Sequence, residues 1–312
     1  MVAQKKQRVL VVGCGCLGKW MAAHFSKGTQ VFCYESNKGI VRSVTRKGLF
    51  LIENQQKQRA RVSITDRLER YSGCFFDLII FSTKCFDVLK AIKQVSKHVK
   101  ADGVLFLQNG SFPLDQAKKA FKGSSIFRGV TTSAITSRGD AGAEVFFHGK
   151  LYWGSYGKPL KSGFDLSRAL KSAGIDAREA SDYRGALWAK LIFSAVMNPL
   201  PLLTVADYSI LQKDDKVYSF VTQAIDEGKK VARARGITLA FDPMTIVRKL
   251  RRGKLGQFHH KGSMYYDFIE GRRTELNDIT GELVQCARRA GIMAPALETI
   301  YTLTAAKEAG RL

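Results

Sequence analysis

Two textures divide the chain. Up to about residue 180, short runs rich in β-branched and aromatic residues alternate with stretches whose apolar residues recur every three to four positions; from Tyr183 on only the helical period remains, around 184–197, 215–235 and 276–290. The first run, Arg8-Val-Leu-Val-Val12, reads as a strand and meets Gly13-Cys-Gly-Cys-Leu-Gly18, after which Trp20, Met21 and Phe25 take up helical spacing. A second run, Gln30-Val-Phe-Cys-Tyr34, ends in Glu35. Further strands are predicted at Leu49 to Ile52, Asp77 to Thr83 and Gly103 to Gln108, with a helix from Phe86 to Val99 between the last two. Strands alternating with helices predict a mainly parallel sheet that binds ligands at the carboxyl ends of its strands. The Gly-, Ser- and Thr-rich segment 125–157 is expected to be the antiparallel edge of the same sheet. The expected architecture is α/β: a Rossmann-like, mainly parallel sheet domain over residues 1–180, then an all-α C-terminal domain over 181–312.

The glycine pattern gives the first domain a task. Gly13, Gly15 and Gly18 stand between a predicted strand and a predicted helix, where they provide a tight turn, close backbone approach to a pyrophosphate, and close packing of helix on strand. Cys14 and Cys16 fill the variable positions as small packing residues. Glu35 follows the last glycine by 17 residues, where a carboxylate can accept hydrogen bonds from ribose hydroxyls and repel the extra phosphate of NADP. That leans toward NADH, with Lys38 and Arg42 close enough in sequence to clamp a phosphate instead and a solvent-exposed Glu35 without a role as the plainer alternative.

Composition removes several classes. The longest uncharged run, Leu191 to Ala206, is shorter than the roughly 20 residues of a membrane span and contains Pro199 and Pro201. The basic N-terminus (Lys5, Lys6, Arg8) is followed by too short an apolar stretch for a signal peptide, so a cytoplasmic protein is expected. Cysteines 14, 16, 33, 74, 85 and 286 form no CxxC pair, which points to reduced thiols and no metal site. The net charge is +23, with 30 basic and 13 acidic residues in 1–180, a field that would attract polyanions. The basic residues are scattered and no nucleic-acid-binding motif accompanies them, so nucleic acid is not the expected partner.

Leu187-Trp-Ala-Lys190-Leu, Asn198-Pro199-Leu, Ser263-Met264 and Gly271-Arg-Arg-Thr-Glu275-Leu-Asn-Asp-Ile-Thr-Gly281 follow the glycine loop, Thr83-Lys84 and Asn109-Gly110 in an order that resembles the ketopantoate reductase (2-dehydropantoate 2-reductase) family from residue 8 to about 295. The resemblance implies NADPH- or NADH-dependent reduction of the C2 ketone of ketopantoate to pantoate, a step toward pantothenate and coenzyme A. It also implies roles: Lys190 as catalytic lysine, Glu275 as active-site glutamate, Asn198 and Ser263 as substrate-binding groups, and Lys84 and Asn109 lining the cofactor and substrate cleft. Ser194 and His260 stand where the family commonly has substrate-binding asparagines, Tyr208 also replaces an asparagine, and Lys150 replaces a small residue after His148-Gly149. Another 2-oxo acid, handled as by the D-2-hydroxy acid dehydrogenases of this architecture, is therefore the second reading. A non-catalytic dinucleotide-sensing or nucleic-acid-binding protein is the third, and the assembly is expected to be a monomer or homodimer.

The residues support part of this on their own. Reduction of a ketone leaves an alkoxide, which needs a cation and a proton within about 3 Å, and an ammonium offers both. Lys190, Ser194 and Asn198 fall at i, i+4 and i+8 on one helix face, and Pro199 is expected to end or kink that helix at Asn198. A surface lysine on an apolar helix is the plainer reading of Lys190. Ser263 and Glu275 would stand about 18 Å apart on one unbroken helix. The chain is therefore expected to break at or next to Gly271, with Thr274 capping a new helix, so that both reach Lys190 and Glu275 keeps its ammonium charged. An ordinary N-cap is the plainer role for Ser263, and a carboxylate stabilised by the helix dipole for Glu275.

Overall fold

The computed structural model describes residues 6–110, 112–157, 164–255 and 260–310, so Lys5 lies outside the described residues. Among the described residues there are twelve strands: β1 (Arg8–Val12), β2 (Gln30–Tyr34), β3 (Leu49–Glu53), β4 (Gln56–Ala60), β5 (Val62–Thr65), β6 (Phe75–Phe81), β7 (Lys100–Phe106), β8 (Ser125–Thr131), β9 (Ala134–Arg138), β10 (Gly142–Phe147), β11 (Leu151–Ser155) and β12 (Ala177–Glu179). Between them run α1 (Cys16–Phe25), α2 (Lys38–Lys47), α3 (Cys85–His98), α4 (Leu114–Ala120) and α5 (Leu166–Ser172). Helices α6 (Tyr183–Met197), α7 (Leu200–Thr204), α8 (Ile210–Lys213), α9 (Asp215–Ala234), α10 (Met244–Arg251), α11 (Gly262–Ile269), α12 (Glu282–Arg289) and α13 (Pro295–Glu308) follow. The chain folds as two compact units, the second made of residues from Arg184 onward together with Asn109 and Gly110.

In the first unit an eight-stranded sheet runs in the order β12-β11-β8-β7-β6-β1-β2-β5. It is parallel except where β11 pairs antiparallel with β8. The β-branched and aliphatic runs of β1, β6 and β7 are buried on both faces, as a parallel sheet covered by helices requires. Val88, Ile92 and Val95 of α3 cover one face beside Leu10, Val12 and Phe81. Met21, Ala22 and Phe25 of α1 cover the other beside Val9 and Val11.

Segment 125–157 does not form a single antiparallel edge. β8 pairs parallel with β7, while β9 and β10 leave to build a second, four-stranded sheet, β4-β3-β10-β9, which also takes the strand at 49–53. The reason lies in α1, where every residue from Gly18 to Phe25 is buried. A helix buried all round needs cover on both sides. The large sheet provides one side, and Leu49, Leu51, Ala143 and Val145 of the small sheet provide the other. The β3–β4 hairpin closes through Asn54 and Gln55, both at positive φ (50° and 63°), which matches the twist of a two-residue hairpin.

The second unit is helical. One apolar stretch, Tyr183–Thr204, is long enough by composition to cross a membrane, and 67% of its window is buried inside the protein. Helix α6 ends at Met197 ahead of Pro199, as the proline predicts. Glu227 of α9 satisfies the first amides of α13, accepting from Ala296 N at 3.1 Å and Leu297 N at 3.0 Å.

Candidate active site

The glycine loop follows β1 as the sequence predicts. Gly13 takes φ +88°, and a Cβ there would lie 3.0 Å from Thr83 after β6. At Gly18 a Cβ would stand 1.9 Å from the Gly13 carbonyl oxygen, so this glycine sets how closely α1 approaches β1. At Gly15, the N-cap of α1, nothing lies within 4 Å. That open backbone at a helix N-terminus fits a pyrophosphate.

Glu35 is neither exposed nor idle. It is buried, with Oε2 accepting from Cys14 N at 2.6 Å and Oε1 accepting from Asn37 N at 2.7 Å, so it ties the glycine loop to the end of β2. Two carboxylate oxygens carry about four acceptor positions, which leaves capacity for ribose hydroxyls. Lys84 is the N-cap residue of α3, with Ser82 and Thr83 between it and the end of β6. Asn109 follows β7 and groups with the second unit.

Two residues at these strand ends escaped the sequence reading. Gln108 donates Nε2 to Phe81 O and Thr83 O, each at 3.2 Å, which fixes the amide orientation. Arg128, almost wholly buried in β8, donates to Phe106 O at 3.0 Å, Gly129 O at 3.2 Å and Gln108 O at 2.5 Å. Together they satisfy carbonyls where the parallel ladder opens. Burial pushes the Arg128 guanidinium down to about 10, so it is charged at pH 7. A charged residue inside the run Ser125-Ile-Phe-Arg-Gly-Val-Thr131 was the signal available. Gln108 Oε1 and Thr83 Oγ1 are buried without a hydrogen-bond partner.

In the second unit, Lys190 and Ser194 lie along α6 and Asn198 directly follows its last residue, with Asn198 N bonded to Ser194 O at 3.0 Å. Lys190 Nζ lies 5.1 Å from the Phe193 ring centroid, and burial pushes its ammonium down to about 8. The chain does break where geometry requires: α11 stops at Ile269, Gly271 takes φ +66°, and Thr274 Oγ1 accepts from Leu276 N at 3.1 Å. Glu275 is buried beyond this break, and Thr280 Oγ1 donates to Ala195 O at 2.9 Å, fastening the segment after Glu275 to α6. Residues Asn277–Gly281 form a π-helical turn there. Ser263 is exposed in the first turn of α11, and the cap position belongs to Lys261. Among the described residues no group of His, Cys, Asp or Glu is arranged to hold a metal ion.

His260 is a further member of this region. Its ring centroid lies 5.9 Å from that of Tyr208 and 6.5 Å from that of Tyr266, and burial with the nearby Lys190 charge pushes the imidazole down to about 4. A folded-state value below the unfolded 6.5 contributes stability that is present above 6.5 and lost as pH falls toward 4. Between pH 6.5 and 4.5 this costs about 2 kcal/mol. His260→Asn is expected to remove that part of the acid loss in urea unfolding followed by Trp188, the second unit's tryptophan. An unchanged acid limb would show that His260 titrates normally.

A glycine turn between the first strand and helix of a parallel sheet, followed by a helical unit with a half-buried lysine, is the arrangement of a nicotinamide-dependent oxidoreductase. The ketopantoate reductase PanE/ApbA family matches residues 9–158, its C-terminal domain matches residues 182–308, and the chain belongs to this family. It is thereby an oxidoreductase acting on CH–OH groups, which sets aside the non-catalytic reading. The 2-dehydropantoate 2-reductase of Pyrococcus abyssi is 24% identical over 97% of this chain and 98% of its own, and that of Archaeoglobus fulgidus 25% identical over 97% and 99%. Among solved structures, a PanE/ApbA family ketopantoate reductase from Ralstonia eutropha has a TM-score of 0.82 at 24% identity, covering 98% of this chain and 99% of its own. D-mandelate dehydrogenase, solved with NADH and anilino(oxo)acetate, has a TM-score of 0.84 at 21% identity with the same coverage.

Proposed function

We propose that this protein reduces the C2 ketone of a small 2-oxo acid in the cytoplasm, with 2-dehydropantoate as the first substrate and pantoate as the product. The observation that carries this reading is Lys190, a lysine of lowered pKa on α6 with Ser194, followed by Asn198 just past the end of that helix. When bound, the dinucleotide supplies the hydride. The chain would hold it through the open backbone at Gly15, the turn at Gly13 and Gly18, and Glu35 against the ribose, with Lys84 after β6 and Asn109 after β7. Lys190 would attract the 2-oxo acid carboxylate by charge, stabilise the developing alkoxide and deliver its proton to the C2 oxygen. Ser194, Asn198 and Ser263 would orient the acid's polar groups, and Glu275 would bound the site. Glu35 leans the cofactor preference toward NADH, although the family usually employs NADPH.

A second reading, an aryl-substituted 2-oxo acid, has its own support. The Phe193 ring lies beside Lys190; His260, which feels the Lys190 charge, packs with the rings of Tyr208 and Tyr266; and D-mandelate dehydrogenase shares the fold. Steady-state reduction of 2-dehydropantoate, benzoylformate and simple aliphatic 2-oxo acids with NADH and NADPH tests both. The expected result is turnover with kcat/KM highest for 2-dehydropantoate; a higher value for benzoylformate would transfer the assignment to the second reading, and no turnover of any would refute both.

A further inference from the structure

The turn between β9 and β10 reaches the nucleotide end of the first unit. It carries Asp140 between Gly139 and Ala141, and Asp140 Oδ2 lies 3.6 Å from where a Cβ on Gly39 would stand. Gly39 is in the first turn of α2, whose N-terminus is capped by Asn37, Oδ1 accepting from Gly39 N at 2.8 Å and Ile40 N at 3.3 Å. Glu35 stands two residues ahead of that cap, at the end of β2. A carboxylate from the small sheet is thus held at the helix N-terminus that borders the ribose position.

The turn is held there by an unusual anchor. Lys19, in α1, is 1% exposed, and its ammonium donates to Gly139 O at 3.0 Å and Gly142 O at 3.3 Å, the two residues that bracket Asp140 and Ala141. Arg138, at the end of β9, pairs with Glu144 and not with Asp140. Lys38 and Arg42 of α2, the cations closest in sequence to Glu35 on that helix, are both exposed and screened by solvent.

We propose that Asp140, positioned by Lys19, is a specificity-determining residue that selects NADH over NADPH. The proposal rests on the dinucleotide reading of the first unit. A ribose 2′-hydroxyl can donate to a carboxylate, whereas a 2′-phosphate, carrying a charge of about −1.5 to −2 at pH 7, would approach Glu35 and Asp140 together at a helix end already supplied with negative charge. Lys19 acts through the turn, so its loss acts in the same direction as loss of the Asp140 charge.

Nicotinamide fluorescence titration of the full chain with NADH and NADPH tests this by binding alone. Wild type is expected to bind NADH at least about tenfold more tightly than NADPH. Asp140→Asn, at an exposed position, is expected to strengthen NADPH binding about tenfold and change NADH binding less than twofold, and Lys19→Met to narrow the ratio similarly. A wild-type preference for NADPH, or an unchanged ratio in Asp140→Asn, would overturn the proposal. Binding of neither nucleotide by wild type would instead overturn the dinucleotide reading on which it rests.

Discussion

Lys190→Ala is expected to lose about 10²- to 10⁴-fold of turnover while folding and binding dinucleotide as wild type does. The glycine loop belongs to the first unit and does not involve this side chain, so the loss should fall on the chemical step and on capture of the anionic substrate. The pH profile gives the sign. An acid must be protonated to act, so wild-type kcat/KM should be level below about 8 and fall roughly tenfold per pH unit above it, following the free-enzyme ammonium. A carboxylate bound beside the ammonium favours its charged form, so the corresponding limb in kcat should lie at higher pH. Undiminished turnover in the alanine variant would remove Lys190 from the mechanism. A wild-type limb near the ordinary lysine value of 10.5 would mean that burial does not set its charge.

Gly18→Ala should be among the most damaging single methyl additions in the first unit. The new Cβ would stand 1.9 Å from a backbone oxygen, Gly13 O, and 2.7 Å from Ser82 Oγ, which itself donates to Gly13 O at 2.8 Å. Neither backbone can yield cheaply, so α1 must lift from β1 at a cost of about 3 kcal/mol. Gly15→Ala separates packing from binding. With nothing within 4 Å of its Cβ, it should melt near the wild-type Tm yet bind dinucleotide at least about tenfold more weakly, because the methyl group would occupy the space a pyrophosphate needs. A wild-type Tm for Gly18→Ala, or wild-type affinity for Gly15→Ala, would contradict these assignments.

Local pattern made much of this legible. The run Arg8-Val-Leu-Val-Val12 coincides with β1, buried from Val9 to Val12 and stopped by the glycine turn, and Gln30-Val-Phe-Cys-Tyr34 coincides with β2, whose Val31 and Cys33 are the buried positions. Pro199 and Gly271 marked the ends of α6 and α11 because one restricts the preceding residue and the other occupies a left-handed turn. The family assignment was equally visible, since Lys190, Asn198, Ser263 and Glu275 occur in order at the family's spacing.

Partnerships between distant segments were not visible. No local signal separates β9 and β10 from the sheet that contains β8, because strand periodicity is the same whichever sheet receives the strand; the need to cover α1 on its second side decides it. Glu35 looked like a free ribose acceptor because it follows the last glycine by 17 residues at the end of the second strand, and only the fold brings Cys14 N to 2.6 Å. Lys19, Arg128 and Asp140 likewise acquire their roles from carbonyls and helix ends up to 123 residues away. The sequence by itself determined which segments become strands and helices, where they end, and which chemical groups the chain carries. The tertiary structure decided which of those groups are buried, which are already engaged, and how Lys190 is charged, because desolvation and hydrogen bonding depend on what lies across space and leave no trace in local spacing.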